Sequence, residues 1–192
     1  MSRHLDLGCG KFPRNPYNQT SVHGVDIIDS IDSEEVIYNK CNIAVETLPF
    51  EDSYFDSVSA YDFLEHIPRV HLENGESTLP FIHAMNEIYR VLKPGGRFLA
   101  LTPAYPKESA FVDPTHINVI TKNTHKYFTE PDNWGQMYGF AGKFEIVRVG
   151  WRNFDSEIRK STPIKRIIKK ILFIVFPRFV QHFLWEFKAI KK

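Results

Sequence analysis

The chain has only two cysteines, Cys9 and Cys41, in 192 residues. Two thiols build no disulfide framework, and their scarcity fits a reducing compartment, so a cytoplasmic protein is expected. The opening residues, MSRHLDLG, hold no apolar signal region, which argues against export. The apolar run ILFIVF (171–176) falls far short of the ~20 residues a membrane span needs. Charge of one sign is lacking overall, since the net charge is +1, yet residues 1–150 carry −7 and residues 151–192 carry +8. An acidic body lacks the basic surface that duplex binding relies on, which argues against nucleic acid as the main partner. Also missing is the third glycine of a dinucleotide loop. LDLGCGKFPRNP (5–16) has Gly8 and Gly10, and Pro13 stands where the third would fall.

What is present describes one domain over 1–192, with 43% hydrophobic and 24% charged residues. Short β-rich runs alternate with turns and helical patterns, which predicts an α/β fold. The runs HLDL (4–7), VHGVDII (22–28), VIYNKCN (36–42), FDSVSAYD (55–62), RFLALTP (97–103), FEIVRVGW (144–151) and HFLWEFKAI (182–190) read as seven strands. Residues 78–92 carry apolar side chains at helical spacing, and LKPGG then ends that helix with a glycine able to turn left-handed. The expected architecture is a doubly wound, mostly parallel seven-stranded sheet with trimmed helices and an antiparallel last strand. Ligands of such sheets lie beyond the carboxyl ends of the strands.

Gly8 and Gly10, on either side of Cys9, let backbone lie close to a ligand. A plain tight turn is the other reading. The second strand ends in Asp26, where a carboxylate can accept both hydroxyl protons of a ribose. Lys11-Phe12-Pro13 offers neither a glycine nor a helix start for a diphosphate, so a ligand with a ribose and no diphosphate fits better.

LDLGCG, GVDI, LPFEDSYFDSVSAYDFLEHI and YRVLKPGGRFLALTP, in order over residues 4–103, resemble the successive motifs of class I S-adenosylmethionine-dependent methyltransferases, with a Rossmann-like fold. The likeness is to the small methyltransferase-11 type. It implies S-adenosylmethionine as cofactor, with Asp6, Gly8, Cys9 and Gly10 around its methionine end and Asp26 and Ile27 at the ribose. Asn42 and Ile43 would meet the adenine, although the family more often has an acid where Asn42 stands. Tyr61 and Asp62 would lie near the sulfonium. Residues 1–103 then form the cofactor-binding half and residues 104–140 the substrate loop region.

Asp62, Glu65 and His66 form a D-x-x-E-H cluster that shares one face if a helical turn follows the fourth strand. Such a face could hold a divalent cation. A solvated turn with His66 packed on the cofactor is the favoured reading, so no metal is expected. In the long insert after the fifth strand, Asp113-Pro-Thr-His116 places a carboxylate beside an imidazole. His116 can take a hydroxyl proton, with Asp113 orienting it and His66 as the next candidate. A turn with His116 merely packed is the alternative. DPTHIN, followed by Trp134 and MYGF, resembles methyltransferases associated with surface-polysaccharide biosynthesis and implies a sugar hydroxyl of a glycan or glycolipid precursor as acceptor. A small-molecule or quinone-like hydroxyl is a second acceptor class. A non-catalytic scaffold of the same fold and a nicotinamide oxidoreductase are the rival functions.

The basic amphipathic segment 155–180 places Ile164, Ile167, Ile168, Ile171, Leu172 and Val175 on one helical face. Its lysines and arginines lie on the other side. It reads either as a peripheral membrane contact over 163–180, at the inner membrane surface, or as a cover helix on the sheet. The oligomeric state is not legible.

Overall fold

The computed structural model describes residues 1–29, 36–153 and 181–191. Its strands are β1 (Arg3–Leu7), β2 (Ser21–Asp26), β3 (Val36–Lys40), β4 (Phe55–Tyr61), β5 (His71–Glu73), β6 (Glu76–Thr78), β7 (Leu92–Pro103), β8 (Phe144–Arg152) and β9 (His182–Ala189). One α-helix, α1 (Pro80–Val91), lies between β6 and β7. Seven strands form one sheet in the order β3-β2-β1-β4-β7-β9-β8. Strands β3 to β7 along that order pair parallel, and β9 runs antiparallel to both β7 and β8. This is the expected doubly wound sheet, with its last strand reversed.

The two faces of the sheet are built differently. Leu5 and Leu7 of β1, Val58 and Ala60 of β4, and Phe98 and Ala100 of β7 join one core with Trp185 and Phe187 of β9. Helix α1 covers that side with Phe81, Ala84, Met85, Ile88 and Val91, all buried and spaced three or four apart. Each large apolar side chain buried there contributes ~1.5–3 kcal/mol. The alternate residues point the other way, because side chains of a strand alternate. There His4 is fully buried, with its ring nitrogens 2.8 Å and 2.9 Å from the hydroxyls of Ser57 and Ser59. Asp6 is buried beside it, accepting from the Ser59 hydroxyl at 2.5 Å and from the Arg14 N–H at 2.7 Å. No helix joins β1 to β2. The connecting segment covers this polar face itself, with Tyr17 packed on Tyr61, Leu99, Leu101 and Leu184.

Several boundaries differ from the sequence reading for local reasons. Strand β2 stops at Asp26 because that carboxylate accepts the N–H groups of Ile27 and Ile28 at 2.7 Å and 3.3 Å. The stretch Leu92–Gly96 is not a loop. Leu92 already pairs with Phe55, and an irregularity follows before Arg97 meets Ser57. The hairpin β5–β6 was not expected, although Asn74-Gly75 at its tip is a strong hairpin signal. Both residues have positive φ, 50° and 82°. Cys9 and Cys41 are both buried and unpaired. No helix among the described residues is long and apolar enough to cross a membrane. The basic segment 155–180 lies outside the described residues.

Burial holds the pKa of His4 down at about 4, against 6.5 in solvent. The unfolded chain therefore binds a proton that the folded chain refuses between those values, and folding weakens as pH falls through that window. His4→Gln is expected to be less stable than the wild type at pH 7, with the gap narrowing by about 3 kcal/mol between pH 6.5 and 4. Denaturant unfolding across that range reads the gap directly. A gap independent of pH would show that His4 takes up its proton as readily in the folded protein as in the unfolded chain.

Candidate active site

The site lies beyond the carboxyl ends of β1, β2 and β4. Gly8 follows β1 with φ 62°, and a Cβ there would sit 2.4 Å from the Phe63 ring. Only glycine lets β1 turn this close to the end of β4. Gly10 has φ 55° and faces open space, and its N–H donates to Asp26 Oδ2 at 2.9 Å. The Asp26 carboxylate thus ties the glycine loop to the end of β2. A cavity of about 260 Å³ opens beside these groups. Gly8, Asp26, Ile27, Asn42, Ile43 and Asp62, all candidates for cofactor contact in the sequence, are among the residues that line it.

Phe63, Ala44, Cys41 and Ile67 complete much of the wall and were not singled out in the sequence. Their only signal is apolar character next to the motifs. Asp6, Cys9, Gly10 and Tyr61 do not line the cavity. Asp6 supports the loop from beneath by accepting from Arg14, and burial pushes its carboxyl up to about 6. Cys9 is buried, near enough to Gly24 that a Cβ at position 24 would lie 2.7 Å from its Sγ. Tyr61 packs in the small core on the opposite sheet face, with the Arg14 guanidinium 4.8 Å over its ring.

The residues after β4 do not share one helical face. Asp62 adopts φ 47°, and the turn that follows, Leu64–His66, is a single 3-10 turn. Asp62 Oδ1 lies 2.9 Å from His182 Nε2 at the start of β9, a partner far away in sequence. Glu65 turns inward, is 1% exposed, and accepts the Thr102 hydroxyl at 2.8 Å through Oε2. Its Oε1 has no hydrogen-bond partner among the described residues. Burial drives the Glu65 carboxyl up to about 8.

The insert after β7 returns to this turn and is stapled there. Asn118 donates its backbone N–H to the Glu65 carbonyl at 2.9 Å and its amide N–H to the Leu64 carbonyl at 3.0 Å. Arg69 donates to Asn118 Oδ1 at 2.6 Å. The staple brings His116 against His66, with ring centroids 4.8 Å apart. His116 Nε2 then lies 3.9 Å from both Glu65 Oε1 and Asp113 Oδ2.

Asp113 accepts the His116 backbone N–H at 3.1 Å through its carbonyl, but its carboxylate stays 3.9 Å from the ring nitrogen, beyond hydrogen-bond distance. Its Oδ1 accepts the Thr115 hydroxyl at 2.6 Å and the Thr115 N–H at 2.8 Å, and these bonds hold its carboxyl below the usual carboxylate range. That hydroxyl has one proton, given to Asp113, so it accepts at 3.0 Å from His66 Nδ1. His66 therefore carries its proton on Nδ1. His116 Nδ1 lies 3.3 Å from the Ala110 carbonyl, which can only accept, so this ring also bears its proton there. In the neutral rings both Nε2 atoms keep a lone pair.

A second, larger cleft of about 980 Å³ is lined by Asp62, His66, Lys107, Asp113, His116 and His182, among others. Asp62 and His66 border both cavities.

An adenosine-bearing ligand suits the smaller cavity. Asp26 is the only carboxylate besides Asp62 in its wall among the described residues, and Ile27 and Ile43 supply apolar surface. Asp26→Ala removes the acceptor for both the Gly10 N–H and the ribose. A hydrogen bond to a charged group is worth ~1.5–3 kcal/mol, so affinity for S-adenosylhomocysteine is expected to fall about tenfold or more. Isothermal calorimetry measures it, with Asp26→Asn as the isosteric control. Undiminished affinity in both variants would remove Asp26 from the ribose site.

Residues 5–100 match the methyltransferase domain family. Among curated proteins, the chain is similar to the ubiquinone/menaquinone biosynthesis C-methyltransferase UbiE of Brucella anthropi, 31% identical over 134 residues, covering 60% of this chain and 46% of that protein. UbiE of Bartonella quintana is 29% identical over 132 residues, covering 59% and 45%. The chain thus spans less than half the length of these relatives. Its fold is similar to that of YcgJ from Bacillus subtilis, with a TM-score of 0.55 at 17% identity over all of this chain and 92% of that one. A methyltransferase crystallised with the Trm112 activator of Haloferax volcanii gives a TM-score of 0.60 at 15% identity, covering 99% of this chain and 83% of that one. With the family matching residues 5–100, half of its length, the chain belongs to the methyltransferase domain family, and S-adenosylmethionine is its cofactor.

Proposed function

We propose that the protein methylates a hydroxyl oxygen of a polar acceptor, a sugar of a glycan or glycolipid precursor. The observation that carries this reading is the pair Asp62 and His66, which border both the cofactor cavity and the larger cleft. A group bound in one cavity therefore meets a group bound in the other across these two side chains. The cofactor supplies a methyl group on a sulfonium centre, and the acceptor oxygen takes it in line while the sulfonium becomes a neutral thioether.

The chain's residues position and deprotonate the acceptor. Nine of the eleven residues lining the larger cleft have polar or charged side chains, a wall suited to a polyhydroxylated ring. His116 offers its Nε2 lone pair to the acceptor hydroxyl and takes its proton. The resulting imidazolium faces the carboxyl groups of Glu65 and Asp113, each 3.9 Å away. Asp113 acts on His66 through Thr115, which holds that ring in place. Holding the reacting groups at near-attack distance supplies the remainder of the rate.

A second reading is an apolar, quinone-like acceptor. It is favoured by the likeness to the two quinone-biosynthesis enzymes and by an apolar groove of about 370 Å³ among Phe81, Ile82, Tyr127, Phe128 and Trp134. Mass spectrometry of cell-surface glycans with and without the protein separates the two. Loss of a methylated sugar supports the first reading, and unchanged glycans with an altered quinone pool support the second.

His116→Ala is expected to lower the methyl-transfer rate by about a hundredfold or more, with cofactor affinity unchanged. Asp113→Asn should cost less, since its effect passes through Thr115 and His66. Steady-state kinetics with calorimetry of cofactor binding reads both. Wild-type turnover in His116→Ala would assign the proton to another group, with His66 next in line.

A further inference from the structure

We propose that Glu65, His66 and His116 together hold a divalent transition-metal ion at the boundary between the cofactor cavity and the acceptor cleft. One donor atom from each of the three side chains lies within 4.8 Å of the other two. The spacing is slightly wider than a bound ion requires, so the three groups draw in by about an ångström on binding, with donor–metal distances near ~2.1 Å. This set differs from the D-x-x-E-H grouping of the sequence. Asp62 turns to His182, and the third ligand comes from His116, some fifty positions later in the chain.

Three independent features prepare these side chains for an ion. Glu65 is 1% exposed, yet its Oε1 has no hydrogen-bond partner among the described residues and lies 3.9 Å from His116 Nε2. A buried carboxylate oxygen without a donor is costly, and a cation would satisfy it. Its other oxygen is held by Thr102, so the carboxylate cannot turn away without breaking that bond. The two imidazoles are set as ligands usually are, with the second nitrogen engaged by an outer acceptor. His66 Nδ1–H is held by the Thr115 hydroxyl and carbonyl, at 3.0 Å and 3.2 Å, and Thr115 in turn is held by Asp113. His116 Nδ1–H faces the Ala110 carbonyl. Each neutral ring thus keeps the lone pair of its other nitrogen for an ion.

The donor chemistry narrows the ion. Two imidazole nitrogens and one carboxylate suit Zn²⁺, Fe²⁺, Co²⁺ or Mn²⁺ and disfavour Mg²⁺ and Ca²⁺, which prefer all-oxygen ligand sets. Three protein ligands leave coordination positions open toward the cleft. There the ion would act as a Lewis acid on an acceptor hydroxyl and lower its pKa. This role rests on the acceptor reading above. His116 has one lone pair on Nε2, so it serves as a ligand in the ion-loaded protein and as the free base in the ion-free protein.

The test reads binding without turnover. The full chain is freed of metal with chelator and titrated with Co²⁺, followed by visible absorption, and with Zn²⁺, followed by calorimetry. One equivalent should bind, with a cobalt spectrum showing nitrogen and oxygen ligands. Glu65→Gln and His66→Ala should each abolish that equivalent. Thr115→Ala, which removes only the outer hydroxyl, should weaken it by about 10–100-fold. Circular dichroism and thermal unfolding of each variant report that the fold is intact. No stoichiometric binding to the wild type overturns the site, as does binding that survives both ligand variants in folded protein. A protein that binds the ion but methylates no hydroxyl acceptor retains the site and refutes the acceptor reading. The reverse outcome refutes the site alone.

Discussion

Three backbone N–H groups converge on the Asp26 carboxylate, from Gly10 on one oxygen and from Ile27 and Ile28 on the other. The cofactor cavity depends on that convergence. It ends β2, anchors the glycine loop after β1 and leaves the carboxylate in the cavity wall. Hydrogen bonds to an ionised acceptor are roughly twice as strong as neutral ones, so one side chain sets the geometry of two adjacent loops. Gly8 acts with it, because its φ of 62° and missing Cβ admit the Phe63 ring that closes the cavity from β4.

The second dependency lies on the sheet face without α1. A doubly wound sheet normally hides both faces under helices. Here the β1–β2 segment covers one face, and the strands beneath carry His4, Asp6, Ser57 and Ser59 as well as apolar side chains. Buried polar groups are tolerated only when they are bonded. The network meets that condition, with His4 between the two serines and Asp6 bonded to Ser59 and Arg14. Further along, the Tyr17 hydroxyl donates to Glu186 on β9 at 2.9 Å. Trimming the helix thus moves part of the fold's stability from apolar packing to hydrogen bonds, and it ties the cofactor loop to the middle of the sheet through Asp6.

The acceptor side is assembled by Asn118. Its two bonds to the Glu65 and Leu64 carbonyls place the insert on the 3-10 turn. Together with the Tyr105 N–H bond to the Ile120 carbonyl and the Thr115–His66 contacts, they bring Asp113, Thr115 and His116 to His66. Glu65 is the group whose position costs most, since its carboxylate is nearly fully buried and only half satisfied among the described residues. Unsatisfied polar atoms of this kind mark places where a structure serves function ahead of stability.

Much of this was legible in residues close together in sequence. The alternation of Leu5 and Leu7 with His4 and Asp6 and the helical spacing of Phe81, Met85 and Ile88 follow from period and propensity. These properties act over a few residues, so the sheet and the core of the cofactor wall could be read from the chain. The seating of Asp6 and Tyr61 away from the cavity could not. Which strand face a residue joins is local, but what covers that face is decided by distant segments. The same holds for Asp62 with His182, for the extension of β7 back to Leu92, and for Glu65 beside His116. Sequence alone determined the fold class, the glycine turn and the acid that follows the second strand, because short-range backbone geometry dictates them. Only the tertiary structure decided which imidazole meets which carboxylate, because those contacts depend on loop closure over some fifty residues and on the hydrogen bonds of Asn118 that hold it.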